Sequence, residues 1–458
     1  MTTHFADEDS RLSFWRRVRA YAVPPSMIET ATARRRAGDW AGACAAAGVD
    51  VDLDLRALAR THGRELTARV REDLRHLAPD LLRWHLPRIA PDGLLRPGLT
   101  VPLARYDAAG PDGRSPVHLV VRTPPAWADA GQRVGLALWD GSRPDAGAGR
   151  HPHPRPSRRF RLDLHRHLWD VRHSAELRVR CGADRPWDDG VPDAQGCAVD
   201  RWAAEAGLLL HAEGRSDGAV AVRLGARQRL VLDLVADSDG GAPPGPRIAA
   251  VSPAGRRAGL PVLPDAATWV LPDLELLRAG AIGADGLHPL VASALVPGHV
   301  PVGPAPVAEP AGQPRLVDCR GARHRIGLVD GVLVPLDHDP DEIRREELLA
   351  ALTGTPLPCL QAIDRAHRRP DCLTGVRERL VHGDIAGALA VVEDLLGPGA
   401  ALRDGPLRDA LEEAARRRIA YGLFRAGLTD PAPRRSGSPG RRRRTGARRE
   451  RTRHATFS

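Results

Sequence analysis

Apolar residues recur at helical spacing through residues 11–88: Leu66, Val70, Leu74 and Leu77 share one face, with Arg, Glu and Asp between them. This predicts a helical region over 1–88. From about Gly93 to Leu336 the pattern changes to short alternating runs. Examples are Val117–Arg122, Arg133–Trp139, Ala219–Leu224 and Arg229–Val235, separated by Pro-Asp-Gly, Asp-Gly and Gly-Gly turn signals. They predict a β-rich domain over 89–338. Its last part, Leu316–Cys319, His324–Val329 and Val332–Leu336, reads as a three-strand meander with a type I′-compatible turn at Asp330-Gly331. Helical periodicity returns over 339–428. There Pro406 suits a first turn after Asp404, and Leu407, Leu411, Ala414, Ala415 and Ile419 form a stripe running toward Gly427 as a stop. The expected class is α+β, with helical ends flanking a β-rich middle of antiparallel hairpins. A disordered Arg-rich tail is expected over 429–458.

One stretch is echoed. Ala37-Gly-Asp-Trp-Ala-Gly-Ala-Cys-Ala45 in the first helical region matches His382-Gly-Asp-Ile-Ala-Gly-Ala-Leu-Ala390 in the second. Glycine lets the chain turn after one helix, aspartate caps the free amides of the next, and the small alanine lets two helices approach closely. Asp39, Trp40, Asp384 and Ile385 are therefore read as residues of helical hairpins. Gly38, Asp39, Trp40 and Ala43, like Gly383, Asp384, Ile385 and Ala388, resemble the turn and second helix of a tetratricopeptide-type repeat. The copies stand more than 300 residues apart, whereas stacked repeats follow one another at short period. Separate hairpins are expected, and no array.

Composition removes several functions. The chain has no Lys and no Asn, so all 67 basic residues are Arg, a bias of very GC-rich bacterial genomes. Schiff-base lysines, P-loop lysines and the kinase strand lysine are thereby excluded. The formal net charge is +10, yet Pro431–Ser458 contains ten Arg against the single acid Glu450. The remainder is close to neutral, so the basic excess belongs to the tail. Six cysteines lie far apart without a C-x-x-C pair, which suits free buried thiols in a reducing compartment. Met1–Ser10 lacks the basic start and apolar run of a signal peptide, and prolines interrupt the most apolar window, His288–Ala308. A cytoplasmic protein without a membrane partner is expected.

Chemistry-bearing residues are densest in Asp163-Leu-His-Arg-His-Leu-Trp-Asp-Val-Arg-His173, preceded by His151 and His153. On a strand, Asp163, His165 and His167 would share a face, and imidazoles with a carboxylate suit zinc or iron. Asp163, His165, His167, Asp170 and His173 are the candidate metal ligands. The alternative is an exposed strand face in a chain whose polar positions favour Arg, Asp and His. The segment resembles the H-x-H-x-D-H signature of metallo-β-lactamase-type hydrolases at His165 and His167; Asp170 falls one residue late and is followed by Val171. Gly214-Arg-Ser-Asp-Gly218 has nucleophile-elbow spacing, with a possible strand Gly207–Ala212 before it. The alternation of Ala219–Leu224 after it favours a hairpin loop. Cys319 and His324 flank one hairpin and can approach each other, a proximity that in a meander is usually incidental. Trp15, Trp40 and Trp84 sit in helical stretches, where core packing is the ordinary role. The Arg-rich tail 431–458 is the only expected contact with nucleic acid.

The runs Ala22–Ala33 through Trp40 and Leu328–His338 are similar to an uncharacterised family of large proteins from GC-rich bacteria. The resemblance covers most of residues 15–428 and carries no catalytic motif. It implies company with MoxR-type AAA+ ATPases and von Willebrand A-domain proteins as partners. The expectation is a non-enzymatic interaction or adaptor protein without a cofactor. A metal-dependent hydrolase using zinc or iron at 163–173, and nucleic-acid binding through the tail, are the alternatives.

Overall fold

A computed structural model describes residues 2–107, 116–128, 132–141, 151–185, 196–225, 228–235, 247–253, 259–300, 315–319, 321–329, 332–353, 358–361, 375–396, 406–428 and 456–457. The fold is α+β, with helices at both ends and mainly antiparallel sheets. The chain forms two compact units, one of 1–127, 133–300 and 424–458, the other of 128–132 and 301–423. The helical start and most of the β-rich middle thus share a unit, whereas the meander belongs with the second helical region.

In the first unit the stripe Leu66, Val70, Leu74 and Leu77 is buried as its spacing requires. It packs with Val101, Leu103, Leu119, Val121, Val134 and Leu136 of a four-stranded sheet in one core. Strand order is Val49–Asp52, Val134–Trp139, Val117–Arg122, Thr100–Tyr106. The three later strands are antiparallel, and Val49–Asp52 joins the edge in parallel, Val49 opposite Val134. This strand corrects the all-helical reading of 1–88. Its four residues pair across 85 positions of chain, which local periodicity does not register.

The same unit holds an antiparallel sheet of Gly218–Arg223, Arg229–Val235 and Arg247–Pro253. Trp202, Ala206, Leu209 and Leu210 pack on Val220, Val222, Leu232 and Leu234. Those four residues belong to the helix Trp202–Ala212, so the strand expected at Gly207–Ala212 is absent. An apolar run of that length fits either element, and burial at 202, 206 and 209/210 has helical period.

The second unit contains the meander, Arg315–Cys319, Ala322–Val329 and Val332–Pro335, paired in that order. Its turn residues Asp330 and Gly331 lie outside the described residues. The helix Pro340–Thr353 follows, then Val376–His382 and Ile385–Leu396, whose Val376, Leu380, Ala388 and Val392 pack with Ala414 of the helix Pro406–Arg425.

Both copies of the echoed sequence form the expected hairpin. Gly38 and Gly383 adopt φ of 78° and 85°, a left-handed turn that glycine accepts without strain. Asp39 accepts from the Gly42 amide at 2.8 Å and Asp384 from the Gly387 amide at 3.0 Å, capping the second helix. The geometry adds a partner outside the echo: Arg34 and Arg379, each five residues before the aspartate, pair with it at 3.2 and 2.8 Å. Ala43 and Ala388 are fully buried. A Cβ on Gly42 or Gly387 would collide with the capping carboxylate.

Replacing either aspartate by alanine is expected to cost about 1 kcal/mol in denaturant unfolding. Gly42→Ala should fail to give the roughly 0.5–1 kcal/mol that alanine normally gains over glycine in a helix, and should recover it once Asp39→Ala is present. An equal gain in both backgrounds would show that the cap and the glycine are not coupled.

Candidate functional site

The segment 162–176 is a succession of tight turns: Leu162–Leu164, Arg166–Leu168 and Val171–Glu176. The strand on which Asp163, His165 and His167 would share a face is therefore not formed. Apolar side chains at 162, 168 and 169 are all buried, a spacing no strand can satisfy on one face. The Trp169 indole donates to the Leu162 carbonyl at 3.0 Å, and the Ala78 amide donates to the Trp169 carbonyl at 2.8 Å. These bonds fold the segment onto the N-terminal helices.

Both aspartates there meet arginine. Asp163 pairs with Arg161 at 2.7 Å, and Arg161 also reaches Glu213 at 2.6 Å. Asp170 is fully buried and accepts from the Arg172 amide and from the guanidinium groups of Arg166 and Arg172 at 2.7–3.2 Å. Both arginines continue to Asp73, whose other oxygen takes the Tyr106 hydroxyl at 2.7 Å. Burial by itself would raise the Asp170 carboxyl, but the bonds from Arg172 and Arg166 outweigh it and hold the group below its ordinary range. Glu205 behaves likewise: burial opposes ionisation, and His165 at 3.3 Å with Arg180 at 2.7 Å overcomes it. His173 lies nearer the surface against Glu176 at 2.6 Å. A general base needs a pKa near working pH, and a metal ligand needs a lone pair not already taken by a guanidinium. Asp170 and Glu205 offer neither.

His167 has a different environment. It is buried and lines a cavity of about 70 Å³ together with Trp15, Trp84, His85, Phe160 and Trp269. Trp15 Nε1, His85 Nε2 and His167 Nδ1 have no hydrogen-bond partner among the described residues. Burial holds both imidazoles neutral, His85 down to about 3 and His167 in the same direction. Arg19 also lines it and is held by the buried Asp273 at 2.9 and 2.7 Å, with the Trp84 indole donating to the same carboxylate at 2.9 Å. The Arg19 guanidinium lies 5.1 and 4.6 Å from the ring centres of Trp15 and Trp84. Such a space admits a few waters or one small molecule. Sequence reading placed Trp15 and Trp84 in the core and passed over Arg19, His85 and Asp273, because the contacts that join them span up to 254 residues.

The other sequence candidates are also placed. Gly214, Ser216 and Gly218 stand between the helix Trp202–Ala212 and the strand Gly218–Arg223, the reverse of the strand-to-helix order of a nucleophile elbow. Residues 429–455 of the Arg-rich tail lie outside the described residues. Among the described residues no helix is long and apolar enough to cross a membrane. Among the described residues, three His, Cys, Asp or Glu ligand atoms converge at Cys319, His338 and Cys359 of the second unit, and no such group includes a 163–173 residue. No protein-family profile, curated protein or solved structure matches the chain.

The buried imidazoles set the acid response. Unfolded histidine protonates near pH 6.5, whereas the folded protein keeps His85 neutral down to about 3. Below pH 6.5 the unfolded chain therefore takes up protons that the fold refuses. Stability should fall by up to about 1.4 kcal/mol per pH unit for each such histidine between pH 6.5 and 5. Urea unfolding across that range should show a shallower slope in His85→Gln than in the wild type. A wild-type stability flat from pH 7 to 5 would contradict the buried neutral state.

Proposed function

We propose that the chain is a non-enzymatic interaction protein, an adaptor accessory to an AAA+ ATPase system. The observation that supports this reading is the capped helical hairpin, built twice from the same local rules, once in each unit. Helical hairpins of this kind offer an outer face that is not needed for the core. On Pro25–Arg36 the exposed residues Ser26, Glu29, Thr30 and Ala33 share a face, and its last turn carries Arg34, Arg35 and Arg36. The alternative of a metal-dependent hydrolase through Asp163, His165, His167, Asp170 and His173 gains no support, because arginine pairing occupies its carboxylates.

The test is quantitative cross-linked purification of the tagged full chain from its source cell. An ATPase of the MoxR type should be recovered in stoichiometric amount with the wild type. Recovery should fall about tenfold, the effect of roughly 1.4 kcal/mol, with Ala33→Glu combined with Arg36→Glu, at unchanged thermal stability. Equal recovery with both proteins, no ATPase with either, or robust turnover by the pure chain would overturn the reading.

The cavity favours a second reading, in which the first unit holds a small neutral molecule. Three unpartnered ring nitrogens in an aromatic cavity suit a compact ligand carrying both hydrogen-bond acceptors and donors. Native mass spectrometry of the purified chain should show a bound species whose occupancy drops with Trp15→Phe, since losing one hydrogen bond costs about 1 kcal/mol. A mass equal to that of the bare chain would count against a resident ligand.

A further inference from the structure

We infer that the second unit contains a zinc site formed by Cys319, His338 and Cys359. Their ligand atoms lie within 4.8 Å of one another. Both cysteines are fully buried, and the His338 side chain is only 4% exposed. Zinc prefers such thiolate and imidazole sets in tetrahedral, closed structural sites.

The local fold explains the convergence. Arg315–Cys319 and Ala322–Val329 pair with Cys319 opposite Ala322 and Val317 opposite His324. Side chains two apart on a strand share a face, so Cys319 and His324 are diagonal neighbours on one side of the hairpin. After the third strand, the Leu336 amide donates to the Arg325 carbonyl at 2.8 Å. The Asp337 carboxylate accepts from the Arg325 amide at 2.7 Å and from its guanidinium at 2.6 Å. These bonds pin the chain so that His338 stacks on His324, ring centres 4.2 Å apart and planes 14° from parallel. The helical turn 358–361 supplies Cys359 from the other side.

Two further observations point to a ligand. His338 Nε2 is buried without a hydrogen-bond partner among the described residues. His338 Nδ1 lies 3.5 Å from Glu342 Oε2, the carboxylate that orients an imidazole so that its other nitrogen faces a metal. Among the described residues the apolar cluster here consists of the two buried cysteines, with Val317, Ile343 and Leu360 packed against them. Binding would release the two thiol protons to solvent as the thiolates coordinate Zn²⁺. This assignment is independent of the adaptor reading and involves no catalytic role.

The test uses the full chain purified under reducing conditions without added chelator. Elemental analysis should find about one zinc per chain. After chelation, added Zn²⁺ alone should raise the melting temperature, and Co²⁺ should give thiolate-to-metal charge transfer with tetrahedral d–d bands. Cys359→Ser and His338→Ala should lose the zinc, while Cys44→Ser retains it. His324→Ala, which removes only the stacking partner of His338, should retain the zinc and the thiolate charge-transfer band. Because a ligand variant can misfold, the cobalt spectrum of the wild type reads the donor set directly. Less than about a tenth of an equivalent of zinc after reconstitution would overturn the site, as would a cobalt spectrum without thiolate bands. A Cys319–Cys359 disulfide in the freshly isolated reduced protein, or zinc undiminished in Cys359→Ser, would do the same.

Discussion

Asp273 has no exposed surface, and its charge is tolerable only because Arg19 and Trp84 surround it. Removing one partner from such a buried pair typically costs about 3–5 kcal/mol, because the remaining charge is left dry and uncompensated. The pair ties the N-terminal helix Thr2–Tyr21 to the helix Pro272–Arg278 across 254 residues. Arg19 stacks over Trp15 and Trp84 and lines the cavity with them and His85. Cys181 and Phe160 also line that space, so the aromatic wall and the turn segment meet the helices there.

A chain whose only ordinary cations are arginines makes such pairs readily. The guanidinium is planar, offers five donors and stays charged under all ordinary conditions, so it matches a buried carboxylate in two bonds where an ammonium would give one. Asp73 and Asp170 share Arg166 and Arg172 in the same way, and Glu205 takes both donors of Arg180. The consequence reaches function. A carboxylate locked below its ordinary pKa by arginine is a hinge pin for the fold and a poor acid or base.

Local rules were legible and long-range ones were not. The meander, the strands at 117–122, 134–139 and 229–235, and both capped hairpins follow from alternation, turn residues and caps within a dozen positions. The strand Val49–Asp52 and the helix Trp202–Ala212 were misread, since each is decided by what it packs against. The turn segment 162–176 was misread for the same reason: Trp169 and Leu162 close on each other, and Ala78 holds them. Asp163, His165 and His167 were noticed because they stand together in sequence. His85, Arg19 and Asp273 stand apart in sequence and carry no local signal.

The two histidine-rich places in the molecule show why density of ligand types is a weak guide. At 163–173 the acids and imidazoles are crowded, but Arg161, Arg166 and Arg172 crowd in with them and occupy the carboxylates. Around Cys319 the ligand types are spread over forty residues, and Asp337, in the turn before His338, is engaged by Arg325. His338 converges there with two thiols, and its Nε2 has no hydrogen-bond partner among the described residues. Convergence of ligand atoms, which only the folded chain reveals, is the condition that separates a set of ligands from a structural ion-pair network.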